Sequence, residues 1–205
     1  MKVPFAQFVK NKLGSKTLLI TCGLPATWKT ETSAEVSKIK GYLILRSDLL
    51  RLEVLNGEDV FDAKVAGNMS KRLSVYDEMF RRADDLAGKG RSIILDATFV
   101  TQELRRRAAR IAAKHDLTFV ILQTICPQEV SVARIQKRTK EKYESNALTV
   151  EAYLANKRKF EPIDLEDLKA FYPQLNIVHL TVDTCYDAPG DWHVIGVEKS
   201  NQAVL

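Results

Sequence analysis

The stretch GLPATWKT, residues 23 to 30, has the spacing of a phosphate-binding loop, GxxxxGK[ST], with Trp28 where the second glycine belongs. A loop of this kind, here Gly23, Leu24, Pro25, Ala26, Thr27 and Trp28, turns backbone N–H groups onto phosphate oxygens, backed by the positive end of the helix that follows. Lys29 is placed to reach the β and γ phosphates of a nucleotide, and the Thr30 hydroxyl to ligate Mg²⁺. A left-handed backbone at position 28 costs a bulky residue about 1–2 kcal/mol. That is small beside the roughly 8 kcal/mol of a micromolar complex. Nucleotide binding is therefore expected despite Trp28, and Trp28→Gly is expected to tighten it modestly.

Three further groups could act on such a nucleotide. RSDLLR, residues 46 to 51, puts Asp48 at a strand end and Arg51 one helical turn later. The carboxylate could take the proton of an attacking hydroxyl while the guanidinium fixes a phosphate or the acceptor. The plainer role for Asp48, or for Ser47, is to cap the helix that begins there. IILDAT ends on Asp96, which could hold Mg²⁺ through water or simply terminate a strand in solvent. Arg134 and Arg138 stand four apart on a helix opening after Pro127, with Lys137, Lys140 and Lys142 nearby. They fit either a basic lid over the phosphates or a solvated amphipathic helix.

These residues need a scaffold that brings loops to one edge. TLLITC, YLILRS, SIILDA, TFVILQTI and NIVHLTV are Val/Ile/Leu-rich runs separated by helical stretches, the pattern of right-handed βαβ crossovers in a parallel sheet covered on both faces. The expected fold is a three-layer α/β domain, with its ligand beyond the carboxyl ends of the strands. An amphipathic helix over 4–14 buries Phe5, Phe8, Val9 and Leu13, and the core runs over about 17–183. The extension 184–205 offers one edge strand at WHVIGV. Met69, Tyr76, Met79 and Phe80 recur at helical spacing and are expected in the core. Arg105, Arg106, Arg107, Arg110 and Lys114 read as the solvated face of a helix whose apolar side is Leu104, Ala108, Ile111 and Ala112.

Composition narrows the field. Three cysteines without CxxC spacing and three histidines without HExxH offer neither a disulfide framework nor a structural zinc site. No apolar run approaches the ~18 residues of a bilayer span, so no membrane partner and a cytoplasmic location are expected. A net charge of +5 suits an anionic ligand but is weak support for nucleic acid.

Taken together, GLPATWKT, SDLLR, ILDAT, CPQEVSVARIQKR and FEP (160–162) resemble the P-loop kinase group that includes the kinase module of phage polynucleotide kinase, the zeta toxins and chloramphenicol phosphotransferase. The resemblance implies a P-loop NTPase fold with a five-stranded parallel sheet in the order 2-3-1-4-5 and a helical lid. It further implies ATP and Mg²⁺ use and phosphoryl transfer to a hydroxyl-bearing substrate, a small molecule or a nucleic-acid 5′ end. On the matching positions Asp48 is the general base, Arg51 a substrate or phosphate contact and Arg138 the lid arginine. Two positions depart from the group, Trp28 in the loop and Asn146, which stands in SNA where relatives show SDA. Competing functions are a nucleotide-binding regulator in which Trp28 crowds the γ-phosphate, and a nucleic-acid module built on the basic helix.

Overall fold

The computed structural model describes residues 2–60, 62, 65, 68–137 and 149–200. Its centre is the strand Thr17–Cys22, buried at every residue. Alternation of side chains along a strand explains how one apolar run serves two cores. Leu18 and Ile20 enter a cluster with Tyr76, Met79, Phe80 and Phe99, while Leu19 enters a second cluster with Phe5, Val9, Val36 and Trp192 on the opposite face.

In chain order the elements are β1 (Val3–Pro4), α1 (Phe5–Lys12), β2 (Thr17–Cys22), α2 (Lys29–Lys40), β3 (Leu43–Arg46) and α3 (Ser47–Val54). They continue with α4 (Met69–Gly88), β4 (Ile93–Asp96), α5 (Gln102–Lys114), β5 (Thr118–Ile125) and α6 (Gln128–Gln136). α7 (Val150–Lys159), α8 (Leu165–Phe171), β6 (Ile177–Asp183), a 3₁₀ turn (Pro189–Asp191) and β7 (His193–Ser200) complete the described chain.

The sheet runs β1-β7-β6-β5-β2-β4-β3. Its parallel part, β3-β4-β2-β5-β6, reproduces the order 2-3-1-4-5, with Leu18 level with both Ile93 and Phe119. The sheet has seven strands rather than five. β7 pairs antiparallel with β6, and the two-residue β1 pairs antiparallel with β7. β7 is the edge strand offered at WHVIGV, and its register with β6 gives it a place in the sheet.

Two packing expectations need correction. Met69, the first residue of α4, is 54% exposed, whereas Tyr76, Met79 and Phe80, further along the helix, are buried as expected. Arg105 lies not on a solvated face but fully inside. Its Nε donates to the Phe99 carbonyl at 3.1 Å and its terminal nitrogens to the carbonyls of Pro162 and Glu161 at 2.8 and 2.7 Å. The guanidinium also lies over the Phe160 ring, 5.3 Å from its centroid. FEP is thus the receptor of a buried arginine, and this knot holds the turn that leaves β4. The turn includes Phe99 at φ 44°, a strained value for a bulky side chain.

Candidate nucleotide and phosphoryl-transfer site

The polar residues gather where β2, β3 and β4 end. Gly23 leaves β2 at φ 147°, and a Cβ there would meet the Thr124 carbonyl oxygen at 2.6 Å and its Oγ1 at 2.8 Å. The loop passes so close to β5 that only hydrogen fits. Gly23→Ala is expected to displace the loop and to cost at least about 1–2 kcal/mol of stability, checked by thermal denaturation; unchanged stability would mean that Thr124 yields.

Ala26 and Trp28 both adopt the left-handed conformation, at φ 62° and 58°. The backbone demand expected at position 28 is therefore real, and α2 starts directly after it. The indole packs against the α1–α2 cluster, and the Arg134 guanidinium lies over it at 4.7 Å. Thr27 Oγ1 lies 2.7 Å from Thr124 Oγ1 and donates to the Leu24 carbonyl at 2.8 Å. Lys29 Nζ folds back onto the Leu24 carbonyl at 2.6 Å, so its ammonium sits within the loop.

Arg134 braces this loop. It donates to the Ala26 carbonyl at 3.2 Å and to the carbonyls of Thr184 and Cys185 at 2.9 and 3.0 Å, and it pairs with Asp187 at 2.9 Å. Through these contacts Arg134, expected beside the phosphates, ties the loop to the β6–β7 connection. Arg138, Lys140, Lys142 and Asn146 lie outside the described residues. A double-mutant cycle of Trp28→Gly and Arg134→Ala is expected to show a coupling of about 0.5–2 kcal/mol in stability. Strict additivity would make the stack incidental.

Thr30 and Asp96 meet as anticipated. The Thr30 hydroxyl donates to Asp96 Oδ2 at 2.7 Å, and Thr21 Oγ1 donates to Oδ1 at 3.2 Å. Asp96 is buried rather than a solvated strand end, and burial raises its pKa against the opposing pull of Thr30 and Lys29. A hydroxyl beside a buried carboxylate, with cations close by, is an all-oxygen donor pair suited to a hard divalent ion such as Mg²⁺.

Asp48 sits in the first turn of α3 rather than on β3, which ends at Arg46. The helix N-cap is Arg46 and no side chain caps it, so the plain capping role of Ser47 or Asp48 finds no support. Burial, and then the charge of Asp96, push Asp48 up to about 6, with Arg51, Arg46 and Lys29 pulling the other way. Lys29, Asp48, Arg51 and Asp96 thus share one electrostatic neighbourhood.

Arg46 and Thr21 were not foreseen. Arg46 pairs in register with Asp96 across β3 and β4, with Nε 3.8 Å from Oδ2. Its position as the last residue of an apolar strand beside SD was the available signal.

Residues 18–163 match the family described as "AAA domain". The chain belongs to that AAA domain family. The chain is 31% identical over 121 residues to the Uncharacterized protein Rv2004c of Mycobacterium tuberculosis, covering 56% of this chain and 24% of that protein. The chain therefore spans about a quarter of the length of the curated relatives it matches. Among solved structures, a gluconokinase from Sinorhizobium meliloti 1021 superposes with a TM-score of 0.56 at 14% identity, over 84% of this chain and 85% of that one. Chaetomium thermophilum Kti12, in complex with ADP-AlF3, gives 0.52 at 17% identity over 73% and 82%. Both share the fold of this AAA domain, a P-loop kinase fold. Among the described residues no helix is long and apolar enough to cross a membrane.

Proposed function

We infer that the chain binds ATP with Mg²⁺ and transfers the γ-phosphoryl group to a hydroxyl acceptor, acting as one domain over residues 1–205 in the cytosol. One observation carries the reading. Lys29 at the start of α2, Asp48 and Arg51 on α3 and Asp96 at the end of β4 converge electrostatically at one end of the parallel sheet. That Kti12, which shares the fold, was solved in complex with ADP-AlF3 supports nucleotide binding by this chain.

The residues divide the work. The backbone from Gly23 to Thr30 cradles the phosphates and Lys29 binds their outer oxygens. Thr30 and Asp96 would hold Mg²⁺, which supplies positive charge against the phosphate oxygens when bound. Asp48 accepts the proton of the acceptor hydroxyl on a carboxylate oxygen, and Arg51 orients that acceptor. With a pKa of about 6 Asp48 is mostly ionised at neutral pH yet remains a competent base. Arg134 keeps the loop in shape, and Arg138 is assigned to neutralise charge on the transferring group.

The regulator reading required the indole to crowd the γ-phosphate, and packing of Trp28 on the α1–α2 cluster favours transfer over that alternative. The nucleic-acid reading required free cations on α5. Of the five cations named there, Arg105 is buried, Arg106, Arg107 and Lys114 are paired with Asp167, Asp77 and Asp84, and Arg110 is exposed.

The test is turnover of γ-labelled Mg-ATP with a panel of hydroxyl compounds. Lys29→Ala is expected to lose binding and transfer together. ATP bound but never consumed by the wild type would favour the regulator.

A further inference from the structure

The carbonyl of Leu24 is approached by two donors. Lys29 Nζ donates to it at 2.6 Å and Thr27 Oγ1 at 2.8 Å. A carbonyl oxygen carries two lone pairs, so the ammonium and the hydroxyl do not compete for one. Thr27 is buried, and its Oγ1 also lies 2.7 Å from Oγ1 of Thr124, a buried residue of β5. A hydroxyl has a single hydrogen. That of Thr27 is committed to Leu24, so Thr124 is the donor between the two threonines. The hydrogen bonds therefore run in one direction, from Thr124 through Thr27 to the Leu24 carbonyl.

This chain of hydroxyls bears on what Lys29 can do. To reach phosphate oxygens the ammonium must leave Leu24, and a sheltered carbonyl that loses its sole donor weighs against the exchange. Leu24 packs against Ala26, Ile135 and Tyr153, so this part of the loop is sheltered. Thr27 stays on the carbonyl after the lysine has left. Thr184 offers a contrast within the same loop. Its hydroxyl, fully buried, is directed at other carbonyls, those of Thr27 at 3.0 Å and Ile125 at 3.1 Å. It ties the loop to the end of β5 without sharing the acceptor that Lys29 uses.

We propose that Thr27 is a positioning residue for nucleotide binding: its hydroxyl, oriented by Thr124, keeps the Leu24 carbonyl satisfied and so releases Lys29 to the phosphates. This rests on the nucleotide-binding part of the function proposed above and adds to it a side chain that acts through Lys29. Without the hydroxyl, Lys29 is the one side-chain donor left to that carbonyl among the described residues, and binding must break their hydrogen bond with nothing in its place.

The test is calorimetric titration of Mg-ATP into the wild type, Thr27→Ala, Thr27→Ser and Thr184→Ala, each well below its own melting temperature. Thr27→Ala is expected to bind about tenfold or more weakly, and Thr27→Ser, which keeps the hydroxyl, within about threefold of the wild type. Thr184→Ala is expected to melt at a lower temperature yet to bind Mg-ATP within about threefold of the wild type. Thr27→Cys, a weaker donor of similar size, is expected to bind less tightly than Thr27→Ser, so the comparison survives if the alanine variant does not fold. The inference is overturned if Thr27→Ala binds as the wild type does, if Thr27→Ser is as weak as Thr27→Ala, if Thr27→Cys matches Thr27→Ser, or if Thr184→Ala weakens Mg-ATP as much as Thr27→Ala. The last result would make the hydroxyl a general stiffener of the loop. Failure of the wild type to bind Mg-ATP would instead defeat the nucleotide-binding reading and, with it, this one.

Discussion

Asp48→Asn is expected to lower Mg-ATP turnover by about 10²–10⁴-fold while leaving nucleotide affinity nearly unchanged, because it removes the proton acceptor and spares the loop. The same substitution is expected to stabilise the fold at pH 8. The Asp48 carboxyl rises from 3.8 to about 6 on folding. Below 3.8 it is protonated in both states and has no linked effect. As pH climbs between the two values the unfolded chain ionises first, so stability is lost there, and the deficit is complete above about 6. For a half-buried group the deficit is about 1–3 kcal/mol, and asparagine removes it. Denaturant titrations at pH 8 and pH 3.5 check the sign: a gain at the higher pH and none at the lower. The wild-type pH–rate profile should fall on its acid side near pH 6. Loss of stability at pH 8, or turnover within threefold of wild type, would remove Asp48 from the role of base.

Arg105→Leu is expected to be the most destabilising single change in the molecule. It leaves the carbonyls of Phe99, Glu161 and Pro162 without their donor and opens space under Phe160. Unsatisfied buried acceptors and a cavity together cost about 3–5 kcal/mol. For a domain of this size the melting temperature would drop by roughly 6–20 °C. Arg105→Lys should recover only a small part, since a single ammonium cannot span carbonyls on both sides of a planar fork. A Leu variant that melts with the wild type would show that the FEP loop is held by other contacts.

Much of the site was legible because its chemistry depends on local spacing. The loop from Gly23 to Thr30, the turn of helix between Asp48 and Arg51 and the strand ending at Asp96 are each contiguous. The left-handed backbone at Trp28 followed from the motif alone. The destination of its indole did not, because the partner, Arg134, is distant in the chain and acts through tertiary packing. The carbonyls that Arg134 meets were out of reach for the same reason: helical phase gives a face but not the acceptors awaiting it.

Arg105 was misread because its charge outweighed its phase. Residues 104, 105, 108, 111 and 112 form a single inward stripe, and a charged residue within such a stripe is itself a sign of a buried polar knot. The five parallel strands announced themselves through runs apolar on both faces. β7 and β1 did not. The pairing of β7 with β6 carries a register shift at Thr181/Val182, and β1 has two residues whose pairing exists only once β7 is in place.

The most direct test of the central claim is thermal or chemical denaturation with increasing Mg-ATP, on the wild type and on Lys29→Ala. The loop from Gly23 to Thr30 should close around the triphosphate with the indole turned aside. At ~100 times the dissociation constant the wild type should gain about 2.7 kcal/mol, and the variant, at the same nucleotide concentration, little or nothing. A wild type indifferent to Mg-ATP, or a variant stabilised as much as the wild type, would contradict the account.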